Sequence, residues 1–196
     1  MKQLIYKELP VVSFISQDEF YTWLGTHNDT QQPFWLRYYK KGTGIPCIVH
    51  GDAVDVALCW GWIDGLLNKY DEQSYVVRYT PRRKKSVWSK INVEKVALLT
   101  AQGRMQPSGL AHVEAAKADG RWDAAYAGQA TIEIPASFVR KLAAHPQARA
   151  VYDSLTKTQK YPYAFKLATV IGEERREKLE ETLLQELIKK SSNVKS

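Results

Sequence analysis

YTPRRKKSVWSKIN, residues 79–92, is where the chain changes its period. Before it, Tyr75-Val76-Val77-Arg78-Tyr79 is β-branched and aromatic, as a strand is. Pro81 has no N–H to give a sheet ladder, so it ends that strand. Beyond it the apolar residues recur at helical spacing, with Val93, Val96, Ala97 and Leu99 beneath a helix that Asn92 is placed to cap. The fourteen residues therefore join a β-containing front half to a helical back half.

Upstream, Leu66–Tyr70, the polar turn Asp71–Ser74 and Tyr75–Thr80 predict a hairpin. Phe34-Trp35-Leu36-Arg37-Tyr38-Tyr39 predicts another strand, closed by the Lys-Lys-Gly-Thr-Gly turn. Ser16-Gln17-Asp18-Glu19 has the form of a capping box, with Glu19 reaching back to the serine's N–H. The helix it opens carries Phe20, Trp23 and Leu24 and stops near residues 25–28. Residues 52–62 predict a buried helix with Val56, Leu58, Cys59 and Trp62 on its stripe, ending near 61–65.

Downstream, Gly103 and Gly120 bracket a helix over 107–119, and Pro107 suits its first turn. Further helices are predicted over 136–144, 147–156, 164–171 and 173–190. The last has an apolar seam of Leu179, Leu183, Leu184, Leu187 and Ile188, with Glu174–Lys178 and Glu186–Lys190 as i,i+4 pairs. The fold class expected is α+β: a small antiparallel sheet with helices in the N-terminal half and a helical C-terminal half. A single domain over 1–196 is expected, with an α+β section at residues 1–92 and a helical section at residues 93–190.

The 196 residues carry a net charge of +7, and the excess is unevenly placed. Residues 71–104 hold eight Lys/Arg against three Asp/Glu, whereas residues 1–70 hold six against seven. A local positive field selects anionic partners. Two cysteines make no disulfide framework for a chain of this size. The start, MKQLIYKELPVV, has neither the apolar run nor the small-residue site of a signal peptide. No window approaches the ~18 apolar residues of a membrane span. These features predict a cytoplasmic protein with no membrane insertion; none of them sets an oligomeric state.

The candidate binding residues come from three segments. Arg82, Arg83, Ser86, Trp88, Ser89, Lys90 and Asn92 lie where a strand ends and a helix begins, a junction that can aim side chains and free N–H groups at one anion. Arginine suits bidentate recognition, lysine acts as a point charge, and Trp88 can stack on a ring. Trp60 and Asp64 come from ALCWGWIDG (57–65), where Asp64 can pair with Arg82 or Arg83, or act as a general base. Arg104 comes from the glycine-flanked turn GRMQPSG (103–109). Gly120-Arg121-Trp122-Asp123 is a similar turn with Trp122 as its anchor. Cys47-x-x-His50 with Cys59 is no zinc spacing, and no metal or cofactor is expected. His112 and Glu114 have no partner that the order of residues connects.

ALCWGWIDG (57–65), YTPRRKKSVWSKIN (79–92) and GRMQPSGLAHVEAAKADGRWDAAY (103–126), in that order behind a helix with Trp23-Leu24, resemble the bacterial YdeI/OmpD-associated, or bacteriocin-protection, family over roughly residues 15–190. EERREKLEETL (173–183) matches that family's Arg-rich terminal helix more loosely, through Arg175 and Arg176. The resemblance implies a role in protection against bacteriocins or antimicrobial peptides. It brings no reaction, cofactor or catalytic residue with it. The expected function is non-enzymatic binding of a small anionic ligand through segments 60–65, 79–92 and 103–105. The alternatives are a nucleic-acid-binding module using the basic 78–90 segment, and an enzyme with Asp64 as acid or base.

Overall fold

Alternation in FWLRYY decides how the sheet is covered. In a strand, successive side chains take opposite faces, so Phe34, Leu36 and Tyr38 share one face and Trp35 and Arg37 the other. In a computed structural model, which describes residues 4–128 and 131–193, these residues form the central strand of a five-stranded sheet. In chain order the strands are β1 (Leu4–Tyr6), β2 (Leu9–Val12), β3 (Phe34–Tyr39), β4 (Trp62–Lys69) and β5 (Ser74–Pro81). Their spatial order is β1-β2-β3-β5-β4. All neighbours are antiparallel except β2 and β3, which run parallel across helix α1 (Gln17–His27). The α+β class is as expected, and the parallel pair makes the sheet mixed. Strands β1 and β2 are additions: three and four residues, one of them a proline, are too short for a period-2 signal.

The chain divides into two compact units, the first of residues up to Ser86 with Asn92–Trp122 and the second of Val87–Ile91 with residues from Asp123 onward. In the first, Phe34, Leu36, Tyr38, Val77 and Tyr79 pack beneath α1 and α2 (His50–Trp60). Ser16 caps α1 by accepting from the Glu19 N–H at 3.1 Å. Glu19 reaches back to the N–H of Ile15, not of Ser16, at 2.8 Å. Helix α2 ends earlier than its apolar stripe suggests. Gly61 takes the left-handed conformation, φ 79°, that terminates a helix, and Trp62 and Asp64 go to β4. The unit also holds most of α3 (Lys90–Ala101) and all of α4 (Pro107–Ala118). Asn92 is the third residue of α3 and not its cap.

The second unit packs α5 (Ala136–Ala143), α6 (Pro146–Ser154), α7 (Lys157–Thr169) and α8 (Glu173–Asn193) around Phe138, Leu142, Tyr163, Leu167 and the expected Leu183–Leu184–Leu187 seam. Helix α7 starts seven residues earlier than predicted. A Thr156–Gln159 capping box opens it, and the helix tolerates the single backbone bond that Pro162 removes. Glu174 and Lys178 pair at 2.7 Å. Lys190 instead donates to the Tyr163 hydroxyl at 3.0 Å, a bond that raises its pKa.

Candidate functional site

The basic segment begins on the glycine that ends α2. Past Pro81, the Arg82 N–H donates to Gly61 O at 2.9 Å, which ties the end of β5 to the turn after the helix. The Arg82 side chain is buried, at 4% exposure. A tight turn follows: the Ser86 N–H donates to Arg83 O (2.9 Å) and the Arg83 N–H to Ser86 Oγ (3.1 Å). Arg83, Lys84 and Lys85 are exposed on it.

A second arginine reaches the same turn from far downstream in the chain. Arg121 is 7% exposed and donates through its terminal guanidinium nitrogen to Ser86 O at 2.8 Å. Its Nε–H is shared between both Asp119 oxygens at 2.8 Å. That bond, ahead of all other causes, holds the Asp119 carboxyl below its usual range.

His112, half-buried on α4, lies where both guanidiniums act on it. Burial lowers its pKa first, then the charge of Arg82, then that of Arg121. The imidazole is therefore kept neutral at physiological pH. It stands hard against α2: a Cβ on Gly61 would fall 2.8 Å from His112 Cδ2. Ser108 Oγ donates to Trp60 O at 2.9 Å and fixes α4 on the end of α2. The cluster is two buried guanidiniums, neither of them free, beside a neutral imidazole that can donate or accept.

The other sequence-derived candidates have different partners. Asp64 pairs with neither arginine; its carboxylate faces His50 Nε2 at 3.4 Å. Both are partly exposed and adjoin a buried pair of hydroxyls, Tyr38 and Tyr79, 2.9 Å apart. Burial raises both phenols far above their usual range, and Asp64 adds to the rise in each. The Asp64 partnership follows from register, since Asp64 pairs with Tyr79 across β4 and β5. Trp60 is half-buried, packed on Tyr21 at 5.4 Å between ring centroids. Arg104 donates to Gln17 Oε1 at 3.1 Å and lies over the Tyr21 ring. Seven candidates, Trp60, Asp64, Arg82, Arg83, Ser86, Asn92 and Arg104, fall in the first unit. Trp88, Ser89 and Lys90 fall in the second, where Tyr126 donates to Trp88 O (3.0 Å) and accepts from the Lys90 N–H (2.9 Å). Trp88 is 2% exposed and has no ring face open for stacking.

Sequence reasoning missed the convergence of His112 and Arg121 on Arg82, and that of His50 on Asp64. Arg121 carried a faint signal, a charged residue directly after a turn glycine. His112 carried none.

Fold and site together define a two-unit α+β protein whose first unit buries an arginine pair beside a neutral histidine. Among the described residues, no helix is long and apolar enough to cross a membrane. Residues 12–112, half of the chain, match the family described as Domain of unknown function (DUF8412), and the chain belongs to that family. Residues 131–188 match the family described as Bacteriocin-protection, YdeI or OmpD-Associated, which bears out the resemblance on the C-terminal helical section. The blocks at 57–65 and 79–92 lie in the stretch matched by the first family. No curated protein and no solved structure matches the chain.

Proposed function

We propose that the chain is a cytoplasmic, non-enzymatic protein that binds a small anion at the Arg82–His112–Arg121 cluster, with the Arg83–Ser86 turn at its edge. The observation that carries this reading is the pair of guanidiniums, each more than nine-tenths buried, acting on one half-buried histidine. Arginine presents several donors in a fixed fork to a phosphate or carboxylate, and two positive charges close together favour an anion beside them. Two free cysteines agree with a reducing compartment.

His112 is a built-in reporter. An anion held near the two arginines cancels part of their field, so the imidazole pKa rises on binding. Titrating the His112 ring resonances against pH, with and without millimolar inorganic phosphate or a phosphorylated sugar, should show that rise. Arg121→Gln should remove it. A His112 titration that no anion moves would overturn the reading.

One further geometry supports a second reading. The partly exposed Asp64–His50 pair beside two hydroxyls is the arrangement of an acid–base couple, with Asp64 orienting the imidazole. Any activity found that Asp64→Asn leaves unchanged would eliminate it. The nucleic-acid alternative rests on the exposed Arg83–Lys85 turn alone, and binding without a steep salt dependence would dismiss it.

A further inference from the structure

The sheet face turned away from α1 and α2 carries a cross-strand pair of a different kind. Trp35 on β3 stands directly opposite Arg78 on β5. Trp35 is 3% exposed. Its indole N–H and the Nε–H of Arg78 are both buried, and among the described residues neither has a hydrogen-bond acceptor. A buried donor without an acceptor keeps its full desolvation penalty. Two such donors on paired positions are an exception that calls for a partner.

Both side chains line one cavity of about 280 Å³. The β1–β2 turn brings Lys7 and Glu8 to its wall, and both have left-handed backbone, φ 47° and 67°. Tight hairpin turns need that conformation, and glycine or asparagine usually supplies it. Here two charged residues hold it, an uncommon state for non-glycine residues that clusters at ligand clamps. Leu66, 65% exposed, and Leu9 complete an apolar wall.

From these features we infer that the outer sheet face binds a small aliphatic monocarboxylate, its carboxylate accepting from the Trp35 indole N–H and the Arg78 Nε–H and its alkyl group lying along Leu66 and Leu9. The charges on the wall select this class. Lys7 and Arg78 are opposed by Glu8, so the cavity favours one negative charge over two. A phosphate dianion would meet the Glu8 carboxylate and leave the leucines uncovered. The volume lies just under the ~300–1,000 Å³ typical of small-molecule sites, which limits the ligand to a short acid. This inference does not depend on the Arg82–His112–Arg121 reading.

The test uses the full ¹⁵N-labelled chain, with the Trp35 indole N–H resonance assigned by its loss in Trp35→Phe. Isovalerate is expected to shift that resonance saturably at millimolar concentration. The indole signals of the other five tryptophans should stay in place. Inorganic phosphate and succinate should bind at least tenfold more weakly. Leu66→Glu alters an exposed side chain without touching the core and should abolish the shift; Arg78→Lys, which removes the Nε–H, should weaken it. The inference is overturned by any one of three results: no saturable shift with isovalerate, an undiminished shift in Leu66→Glu, or phosphate binding as tightly as isovalerate.

Discussion

Replacing Gly109 by alanine tests how α4 is held, and with it His112. Gly109 is the third residue of α4 and has no positive φ, so alanine suits its backbone. In a free helix the change would gain about 1 kcal/mol. Here a Cβ would overlap the carbonyl oxygen of Cys59 and lie 2.7 Å from Leu58 O and 2.8 Å from Cys59 C. All three are backbone atoms in the last turn of α2, and no rotamer change can relieve them. To reach an ordinary van der Waals distance α4 must back away by more than about 1 Å. That movement stretches two bonds that anchor it, Gln106 N–H to Cys59 O at 3.0 Å and Ser108 Oγ to Trp60 O at 2.9 Å. Each is worth about 1 kcal/mol, and overpacking adds about 1–3 kcal/mol more. Set against the helical gain, the net loss is about 2–4 kcal/mol, or roughly 4–16 °C in Tm for a chain of this size. Urea denaturation should show a lower midpoint with an unchanged slope. Gly51, second in α2, is the matched control, because nothing lies within 4 Å of its Cβ position. Gly51→Ala should gain about 0.5 kcal/mol. A Gly109→Ala protein as stable as the wild type would refute the reasoning.

Three other outcomes are expected. The folded chain holds the His112 pKa below 6.5, so the unfolded chain takes up that proton first. Stability is then full above 6.5 and falls as the pH drops beneath it, until the folded pKa is passed. His112→Gln should flatten the decline in urea midpoint over that window, and equal slopes in the two proteins would count against it. Trp62→Phe removes the indole donor that meets Asn28 Oδ1 at 2.7 Å in the core. It should cost about 1–3 kcal/mol, because the buried Asn28 acceptor is left without it; a double-mutant cycle with Asn28→Ala showing no coupling would contradict this. In the second unit Glu180, 3% exposed, pairs with Lys141 at 3.2 Å and accepts from the Ser137 hydroxyl at 2.5 Å. Lys141→Ala strands a buried carboxylate and should cost on the order of 2–4 kcal/mol in thermal or urea unfolding, whereas a neutral result would mean the carboxylate rehydrates.

The elements with a strong local period or cap were legible. Alternation marked β3 and β5, Ser16 and Glu19 marked the start of α1, and the leucine seam marked α8. Errors arose where a neighbour outweighed the local pattern. Trp62 continues the apolar stripe of α2, yet the left-handed Gly61 sends it into a strand. The helix expected over 164–171 begins earlier, at Lys157, because the Thr156–Gln159 capping box opens it. At the site, the composition of 79–92 drew attention to Arg82 and Ser86. Their partners His112 and Arg121 come from α4 and the turn after it, with no shared motif to announce them.

The residues alone determined what depends on near neighbours: the period of the long segments, the Ser16 cap, the breakers at Gly103 and Gly120, and the concentration of charge in 71–104. Those properties arise within a few bonds of backbone and can be read along the chain. The structure alone decided which charges were buried and with whom. Arg82 and Arg121 leave water, Asp64 turns to His50, and Trp35 is brought opposite Arg78. Each of these depends on strand register and on how α4 seats against the end of α2. Both are set by packing between residues far apart in sequence, and a one-residue slip in a strand would send every side chain to the other face.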